Sequence, residues 1–507
     1  MGDLAWTRKG YFTLPPTALR HHAVCVGASG SGKTETLYRC AYGAYKVYGQ
    51  QVVYLDAKGE SKRDEEKQDD SAARFVATMR TAGAQCIGVF PATYYDGWQG
   101  TLADLQNRLL SIIDFSESAY YGDVAANVVF LALNTPVTPR SSTAFLNNLH
   151  LERLKTLYKG TAMYARVAGL EKELVSQVRM RYEVFFNAMA GHLDGTLRYN
   201  DYDAVYLRVR GFTLRNEAPR LGRFLVADFM HYIAERRRAG MQTLFIIDEF
   251  NALRMREETS ILFEQVRSFG GSLLISAQGY AGLGPREYAD RILDAANTYI
   301  VHSCSDPFPI VKRAGRRFML ETSWSEQDDD AGQRRHLRPH WDWKVSEDAV
   351  KQQEVGQAFW LHRGRTQQVQ MARVPISEEA IRQAWKEIRA QERQQEALVS
   401  VTPLAAVQLP IPSPSSQSQQ QPRHKKLPST SSSSTSATST KAKKLGKGIS
   451  TPPPTPLQPA TGVSPLPLPT VPETPPAPSP LSLSPDSTNG TPSSPRPEPD
   501  DDGPEYL

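Results

Sequence analysis

The 507-residue sequence contains only four cysteines, and none of them has a neighbour at the short spacings of metal sites. It therefore favours neither a disulfide framework nor a zinc site. It also lacks any run of about 18 apolar residues, the length that a membrane-spanning helix needs. Residues 1–14 lack the apolar core of a signal peptide. The expected location is the cytoplasm, with any contact to the inner membrane made through partners.

The C-terminal part of the chain has almost no aromatic residues and is rich in proline, serine, threonine and glutamine. Of the 36 prolines in the sequence, 25 follow residue 400. Such a composition cannot bury enough apolar surface to offset the entropy lost on ordering. Residues 398–507 are therefore predicted to form a disordered tail. Its basic run at 423–447 and acidic end at 500–505 are more often solvated linker than binding surface, although either can contact a partner.

Neither sign of charge dominates the sequence. The chain has 59 lysines and arginines against 54 acidic residues, which gives a formal net charge of +5. A mild basic excess permits a nucleic-acid partner but does not require one. Charge alone therefore leaves the choice of partner open.

Short apolar runs alternate with helical stretches between residues 22 and 90, a pattern typical of βαβ units around a parallel sheet. From residue 102 to about 191, apolar residues recur at three- and four-residue spacing, which predicts helices only. Strand-like runs return after residue 200. The predicted strands are 22–26, 52–55, 86–90, 205–209, 244–247, 272–277, 299–302 and 358–362.

These elements predict an α/β fold with a mostly parallel sheet and an all-α insertion. Residues 1–101 form the first part of a phosphate-loop domain, residues 102–200 the insertion, and residues 201–397 the second part of the same domain. A helix at 222–240 precedes the central strands, and the last predicted helix covers 377–397. The sheet is thus expected to be assembled from both sides of the insertion.

A glycine-rich segment follows the first predicted strand and precedes the first long helix, which is the context that a phosphate-binding loop requires. Glycines allow the backbone N–H groups and the helix N-terminus to point at phosphates. The lysine adds a positive charge and the threonine hydroxyl is a ligand for Mg²⁺. A simple turn before a helix is the weaker reading. The segment consists of Gly27, Ala28, Ser29, Gly30, Ser31, Gly32, Lys33 and Thr34.

An apolar strand that ends in two acids supplies the carboxylates that a phosphate loop needs nearby. The strand 244–247 is followed by Asp248 and Glu249. We expect Asp248 to contact Mg²⁺ through water and Glu249 to orient the attacking water. Alone, an acid at the end of a strand can equally cap the next helix.

Two further residues are candidates for the same chemistry. Gln278 ends the apolar strand 272–277, where its amide can sense the γ-phosphate. Arg267 lies nineteen residues after Asp248 and can reach the nucleotide of a neighbouring subunit as an arginine finger. Sequence alone would favour a loop glutamine and a solvated helix arginine at these two positions.

The order and spacing of these motifs resemble the type IV coupling proteins, the TraD/TraG group of conjugation ATPases. This group belongs with the FtsK and HerA translocases of RecA-like fold. The resemblance covers about residues 10–375 and includes the all-α insertion. It is carried by His21-His22, the phosphate loop, Asp56-Ala57-Lys58-Gly59-Glu60, Asp248 to Leu253, and Arg267 to Gly271 followed by Gln278.

The resemblance implies a RecA-like hexameric motor that hydrolyses ATP with Mg²⁺ and moves DNA, or a relaxase-bound strand, toward a secretion channel. By motif position, Lys33, Glu249 and Gln278 are catalytic, Thr34 and Asp248 serve the metal, and Arg267 acts between subunits. Asp56, Lys58 and Glu60 match a family signature without a derivable role. The sequence departs from the family at Ala57 and Asn251, and in lacking the N-terminal membrane anchor that many members have.

Residues that contact DNA are expected among exposed basic clusters facing a central pore. Most such clusters are simply solvated surface, so one or two are expected to face the pore. Two other functions stay open: an ATPase that powers protein export, and a nucleotide-dependent switch or scaffold. The candidate clusters are Arg236-Arg237-Arg238, Lys312-Arg313, Arg316-Arg317, Arg334-Arg335, and Arg363 with Arg365.

Overall fold

The computed structural model describes residues 15, 17–58, 71–113, 119–209, 216–237, 240–254, 257–325 and 334–401. Nearly all of the predicted tail lies outside these residues; only its first four positions are described, as the end of the last helix, which extends to Val401. Among the described residues, no helix combines the length and the apolar character needed to cross a membrane.

Mostly apolar runs of four to seven residues form the central strands, and nine of the eleven described strands build one sheet. The strands of this sheet are β1 (Ala23–Val26), β2 (Gln51–Asp56), β3 (Ile87–Phe90), β4 (Ala204–Arg208), β5 (Thr243–Asp248), β6 (Gly271–Ala277), β7 (Thr298–Val301), β10 (Gln357–His362) and β11 (Arg365–Gln370). A separate hairpin consists of β8 (Arg316–Ser325) and β9 (Arg334–Trp343).

The strand order of the main sheet is β11-β10-β7-β1-β6-β5-β2-β4-β3. All neighbours from β7 to β3 run parallel, whereas β10 runs antiparallel to β7, and β11 runs antiparallel to β10. Most residues of the central strands are buried, as expected for a sheet covered on both faces. The predicted α/β fold with a mostly parallel sheet is confirmed.

Helices cover the two faces of the sheet. The helices are α1 (Thr17–Arg20), α2 (Lys33–Lys46), α3 (Ser71–Ala82), α4 (Leu102–Leu110), α5 (Ala119–Leu133), α6 (Ser142–Asn148), α7 (Leu151–Tyr158), α8 (Tyr164–Ala168), α9 (Lys172–Met189), α10 (Ala218–His231), α11 (Glu257–Val266), α12 (Arg286–Ala295), α13 (Phe308–Val311), α14 (Glu347–Lys351) and α15 (Glu378–Val401). Side chains of α2, α3 and α15 pack on one face. The helices between β3 and β4 pack with α10 on the other.

A buried ion pair connects the helical segment to the sheet domain. Arg108 on α4 pairs with Asp228 on α10, and both side chains are fully buried. The Arg108 guanidinium also donates to the carbonyl oxygen of Gly97 over 2.6 Å. Removing one partner would leave a buried charge unpaired, so both side chains are expected to be needed where the helical segment packs on α10.

Several elements differ from the sequence-based expectation. Helix α10 ends at His231 and continues as a π-helical turn over Tyr232–Arg236, instead of reaching residue 240. The strand β11 and the β8–β9 hairpin were not predicted. In the hairpin, Phe318 and Trp341 lie opposite each other, 55% and 64% exposed, and their rings meet edge to face at 5.6 Å. Strands with exposed faces lack the continuous apolar run that reveals a buried strand.

Candidate functional site

The three predicted motifs follow neighbouring parallel strands, and they therefore lie at one edge of the sheet. Strand β6 separates β1 from β5, with Val26 opposite Ala277 and Ile275 opposite Ile247. The phosphate loop follows β1, Gln278 follows β6, and Asp248 ends β5. Ligands of open α/β sheets bind outside these carboxyl ends.

The phosphate loop is tightly wound and closely packed. Gly30 and Gly32 have φ angles of +79° and +102°, which favour glycine, and Gly32 precedes the first residue of α2. A Cβ atom at Gly32 would lie 3.1 Å from the backbone of Gly356. The Gly356 N–H donates to the carbonyl oxygen of Ser31 over 3.0 Å. The segment before β10 therefore supports the loop from outside.

Lys33 folds back over the loop from the first position of α2. Its Nζ donates to the carbonyl oxygens of Gly27, over 2.5 Å, and Ala28, over 3.0 Å. The side chain is buried and its described partners are backbone carbonyls only. The Oγ of Ser31 is buried without a hydrogen-bond partner among the described residues. The loop thus holds an ammonium and a hydroxyl that a bound anion can engage, and Thr34 follows at the start of α2.

His302 packs beneath the loop, although no motif in the sequence marks this residue as part of the site. Its Nε2 lies 2.9 Å from the Thr36 hydroxyl and its Nδ1 lies 2.8 Å from the carbonyl oxygen of Gln357. A Cβ atom at Gly27 would lie 2.6 Å from His302 Cβ. Burial lowers the pKa of His302 to about 4. The ring is therefore neutral, with Nδ1–H donating to the carbonyl and Nε2 accepting from the hydroxyl.

Asp248 is buried at the end of β5 with both carboxylate oxygens engaged. Oδ1 accepts from the Ser276 hydroxyl over 2.7 Å and from the Glu249 N–H over 3.0 Å. Oδ2 accepts from the Tyr54 hydroxyl over 3.1 Å. A carboxylate held by so many donors suits contact with a metal through water.

Glu249 adopts an unusual backbone conformation directly after β5. Its φ and ψ angles are +57° and +54°, in the left-handed region that non-glycine residues rarely occupy. Its Oε1 accepts a hydrogen bond of 2.6 Å from Nε2 of Gln278. The structure thus brings together two of the predicted catalytic residues, from two neighbouring strands.

Asp56 lies on the next strand, opposite Asp248 in the register of β2 and β5. It is buried, and it accepts hydrogen bonds from the Tyr206 hydroxyl over 2.5 Å and the Lys58 N–H over 2.9 Å. Burial raises the pKa of Asp56, and the nearby charge of Asp248 adds to this. Lys58 is exposed, and Glu60 lies outside the described residues. Asp56 is thus a second buried carboxylate next to Asp248.

Arg267 lies at the opposite edge of the sheet. It follows α11 and precedes β6, so it stands at the amino ends of the parallel strands, and its side chain is exposed. With about 3.3 Å per residue along β6, the two edges are roughly 20 Å apart. The structure therefore does not bring Arg267 together with Lys33 and Glu249 of the same chain.

The basic clusters differ in their surroundings. Arg313 forms ion pairs with Asp290 and Asp294, which neutralise its charge. Arg316 and Arg317 stand at the base of the β8–β9 hairpin, where the Arg316 guanidinium lies 4.5 Å from the Trp343 ring centre. Arg363 and Arg365 flank Gly364 between β10 and β11. Arg238 lies outside the described residues, and no side-chain description covers Arg236, Arg334 and Arg335.

Comparisons with known proteins identify similar folds. No protein-family model matches the sequence, and no curated protein matches it either. Among solved structures, the unbound bacterial conjugative coupling protein TrwBdeltaN70 matches with a TM-score of 0.54 and 13% identity, over 71% of this chain and 86% of that chain. Plasmid coupling protein TrwB in complex with ADP and Mg²⁺ matches with a TM-score of 0.51 and 13% identity, over 72% and 88%. The chain therefore has a coupling-protein-like fold.

Proposed function

We propose that the chain is an ATPase that binds ATP and Mg²⁺ at the carboxyl edge of β1, β6 and β5. The observation that carries the proposal is the Gln278–Glu249 hydrogen bond of 2.6 Å. It joins residues that follow β6 and β5, the next two strands of the sheet after β1. It couples a water-orienting carboxylate to an amide that can sense the terminal phosphate. A protein that only binds nucleotide needs no such carboxylate.

The residues of the site fit a magnesium nucleotide. The buried Ser31 hydroxyl is without a described partner, and Lys33 bonds only backbone carbonyls that phosphate oxygens can replace. Gly27 to Thr34 form the cradle for the phosphates. Thr34 and Asp248 are the metal residues, with Asp248 acting through water. The fold agrees with this assignment, since TrwB has been solved in complex with ADP and Mg²⁺.

The position of Arg267 supports an assembly of several copies. An arginine roughly 20 Å from the nucleotide edge cannot reach the nucleotide of its own chain. A finger role is then possible only toward the nucleotide of a neighbouring copy. We propose a ring of identical subunits, a hexamer by resemblance to the coupling proteins, in which Arg267 stabilises charge on the adjacent nucleotide.

The cargo that we propose is DNA, alone or bound to a relaxase, moved toward a secretion channel. The support is the motif order together with the likeness to a conjugative coupling protein. Two exposed basic pairs form no ion pair among the described residues and are candidates for contacts to DNA phosphates. They are Arg316-Arg317 and Arg363 with Arg365. Protein export is the second candidate, and a nucleotide-dependent switch the third.

ATP hydrolysis by the wild type, Lys33→Ala and Lys46→Ala tests the proposal. Lys46 is exposed at the other end of α2 and serves as the matched control. Each protein is assayed with and without single- and double-stranded DNA, at two salt concentrations, because phosphate contacts weaken as salt rises. We expect a DNA-stimulated rate that is lost only in Lys33→Ala. A rate independent of Lys33 would overturn the ATPase assignment, and a Lys33-dependent rate indifferent to DNA would favour export or a switch.

A further inference from the structure

A second arginine lies at the same amino edge of the sheet as Arg267. Strands β10 and β11 are joined by Arg363 and Gly364, and the pairing of His362 with Arg365 places this turn next to the start of β7. One Nη atom of Arg363 lies 3.3 Å from Nε2 of His21, which precedes β1. The turn, His21 and Arg267 therefore share one edge, opposite the phosphate loop.

The turn imposes a conformational cost on Arg363. Both of its residues have positive φ angles, +47° at Arg363 and +76° at Gly364. Two-residue hairpin turns of this kind favour asparagine, aspartate or glycine at the first position, because other residues are strained there. The turn keeps a charged, exposed side chain at a strained position, which indicates that the guanidinium itself has a function.

The surroundings of Arg363 are positively charged. Burial lowers the pKa of His21, and the charges of Arg267 and Arg363 lower it further. The neutral ring can accept a hydrogen bond from the guanidinium and orient it. Among the described residues, neither Arg267 nor Arg363 forms an ion pair with an acid. This edge therefore holds two guanidinium groups with no described counter-charge.

We propose that Arg363 and Arg267 together bind the terminal phosphate of ATP held by a neighbouring copy of the chain, with His21 positioning Arg363. The inference rests on the proposed function and assigns a second cation to the contact between subunits. Arginine presents planar, paired N–H donors that match phosphate oxygens, so two of them can hold several oxygens at once. The distance between the edges directs both groups to the neighbour's nucleotide instead of their own.

The variant Arg363→Asn removes the charge and suits the turn, since asparagine tolerates the left-handed conformation. It should therefore fold, which circular dichroism and the thermal midpoint verify. We expect kcat for ATP to fall about 10- to 100-fold, because a donor to developing phosphate charge is lost. The affinity of nucleotide for the isolated subunit should not change. Arg382→Gln, on an exposed position of α15, is the matched control and should retain the wild-type rate.

Mixed assemblies decide whether Arg363 acts on the neighbour. Arg363→Asn subunits have an intact phosphate loop, and Lys33→Ala subunits have an intact Arg363. When the two variants are co-expressed with different affinity tags, a mixed assembly places the intact phosphate loop of one subunit beside the intact Arg363 of its neighbour. We expect the mixed assembly to recover ATPase activity well above the sum of the two separate variants.

Two outcomes would overturn the inference. One is a normal rate in Arg363→Asn. The other is a reduced rate that does not recover on mixing. If only the DNA-stimulated part of the rate is lost in this way, Arg363 would be assigned to contact with nucleic acid. If the wild type itself shows no Lys33-dependent hydrolysis, the proposed function fails first, and that result is distinguishable from both.

Discussion

Gln278 donates a 2.6 Å hydrogen bond to Glu249. The two residues are 29 positions apart in sequence and follow neighbouring strands. Glu249 reaches this position because its backbone is left-handed directly after β5. Asp248, the residue before it, stays buried against Ser276 and Tyr54. The end of one strand thus holds two carboxylates in different surroundings: Asp248 is buried, and Glu249 is hydrogen-bonded to Gln278.

Glu249→Gln should lower ATP hydrolysis about 100- to 1,000-fold while nucleotide binding is kept. The amide preserves the size of the side chain but cannot polarise a water molecule as a carboxylate does. Single-turnover hydrolysis and titration with a fluorescent nucleotide measure the two effects separately. Glu264→Gln, at an exposed position of α11, is the control and should behave as the wild type. Loss of nucleotide affinity in Glu249→Gln would contradict a role confined to the reaction.

The Glu249–Gln278 contact predicts that the two residues act as one unit. Gln278→Ala alone should reduce kcat, because the carboxylate loses the donor that orients it. In the double variant with Glu249→Gln, the further loss should be small, since effects of residues that act together are not additive. The measurement is a double-mutant cycle on kcat. Two independent, fully additive losses would show that the hydrogen bond has no part in the reaction.

Removal of residues 402–507 should leave the basal rate of ATP hydrolysis unchanged. The composition of this part predicts a disordered tail, and the phosphate loop, Glu249 and Gln278 all lie before residue 300. The measurement is kcat and KM for ATP in the truncated chain and in the full chain without cargo. A large fall in kcat on truncation would refute the view of the tail as an appendage.

The parts of the site that the sequence predicted are those in which local pattern and chemistry coincide. Strands β1, β5 and β6 are buried in the middle of a parallel sheet, so their continuous apolar runs reveal them. The carboxyl ends of these parallel strands meet at one edge of the sheet, where the loop 27–34, Asp248 and Gln278 lie. Which residues lie at the carboxyl edge of the sheet can therefore be predicted from a single sequence.

The remaining features depend on contacts between distant segments. His302 contacts Thr36 across 266 positions, and Arg363 contacts His21 across 342 positions. No role for Asp56 could be derived from the sequence, and only the pairing of β2 with β5 and β4 shows that it is buried. The sequence did not predict the β8–β9 hairpin, because its described apolar and charged side chains are largely exposed. Neither the periodicity of apolar residues nor the spacing of motifs predicts contacts between segments so far apart in sequence.

Gly356→Ala should weaken nucleotide binding without unfolding the chain. The φ angle of Gly356 is +83°, and an added Cβ would lie 2.7 Å from the Gln370 amide nitrogen. The strain of about 1 kcal/mol expected for such a backbone would shift the segment that donates to Ser31. We expect KM for ATP to rise severalfold with kcat little changed. Gly83→Ala, also at positive φ but directly after α3 and away from the loop, should leave KM unchanged.

Protonation of buried histidines should destabilise the fold in mildly acidic solution. Burial lowers the pKa of His302 and of His22 to about 4, whereas an unfolded chain has an ordinary histidine pKa near 6.5. Because the unfolded chain binds more protons below pH 6.5, the free energy of unfolding should fall as the pH decreases toward 4. His302 alone should account for about 2 kcal/mol between pH 7 and pH 4.5.

The variant His302→Gln isolates the contribution of this ring. Glutamine can keep a donor to the Gln357 carbonyl and an acceptor for the Thr36 hydroxyl, but it does not titrate. Urea unfolding at pH 7 and at pH 4.5 gives the loss of stability for both proteins. We expect the loss in the variant to be smaller than in the wild type by about 2 kcal/mol, with the His22 contribution left in place. Equal losses in the two proteins would show that His302 is not held neutral beneath the phosphate loop.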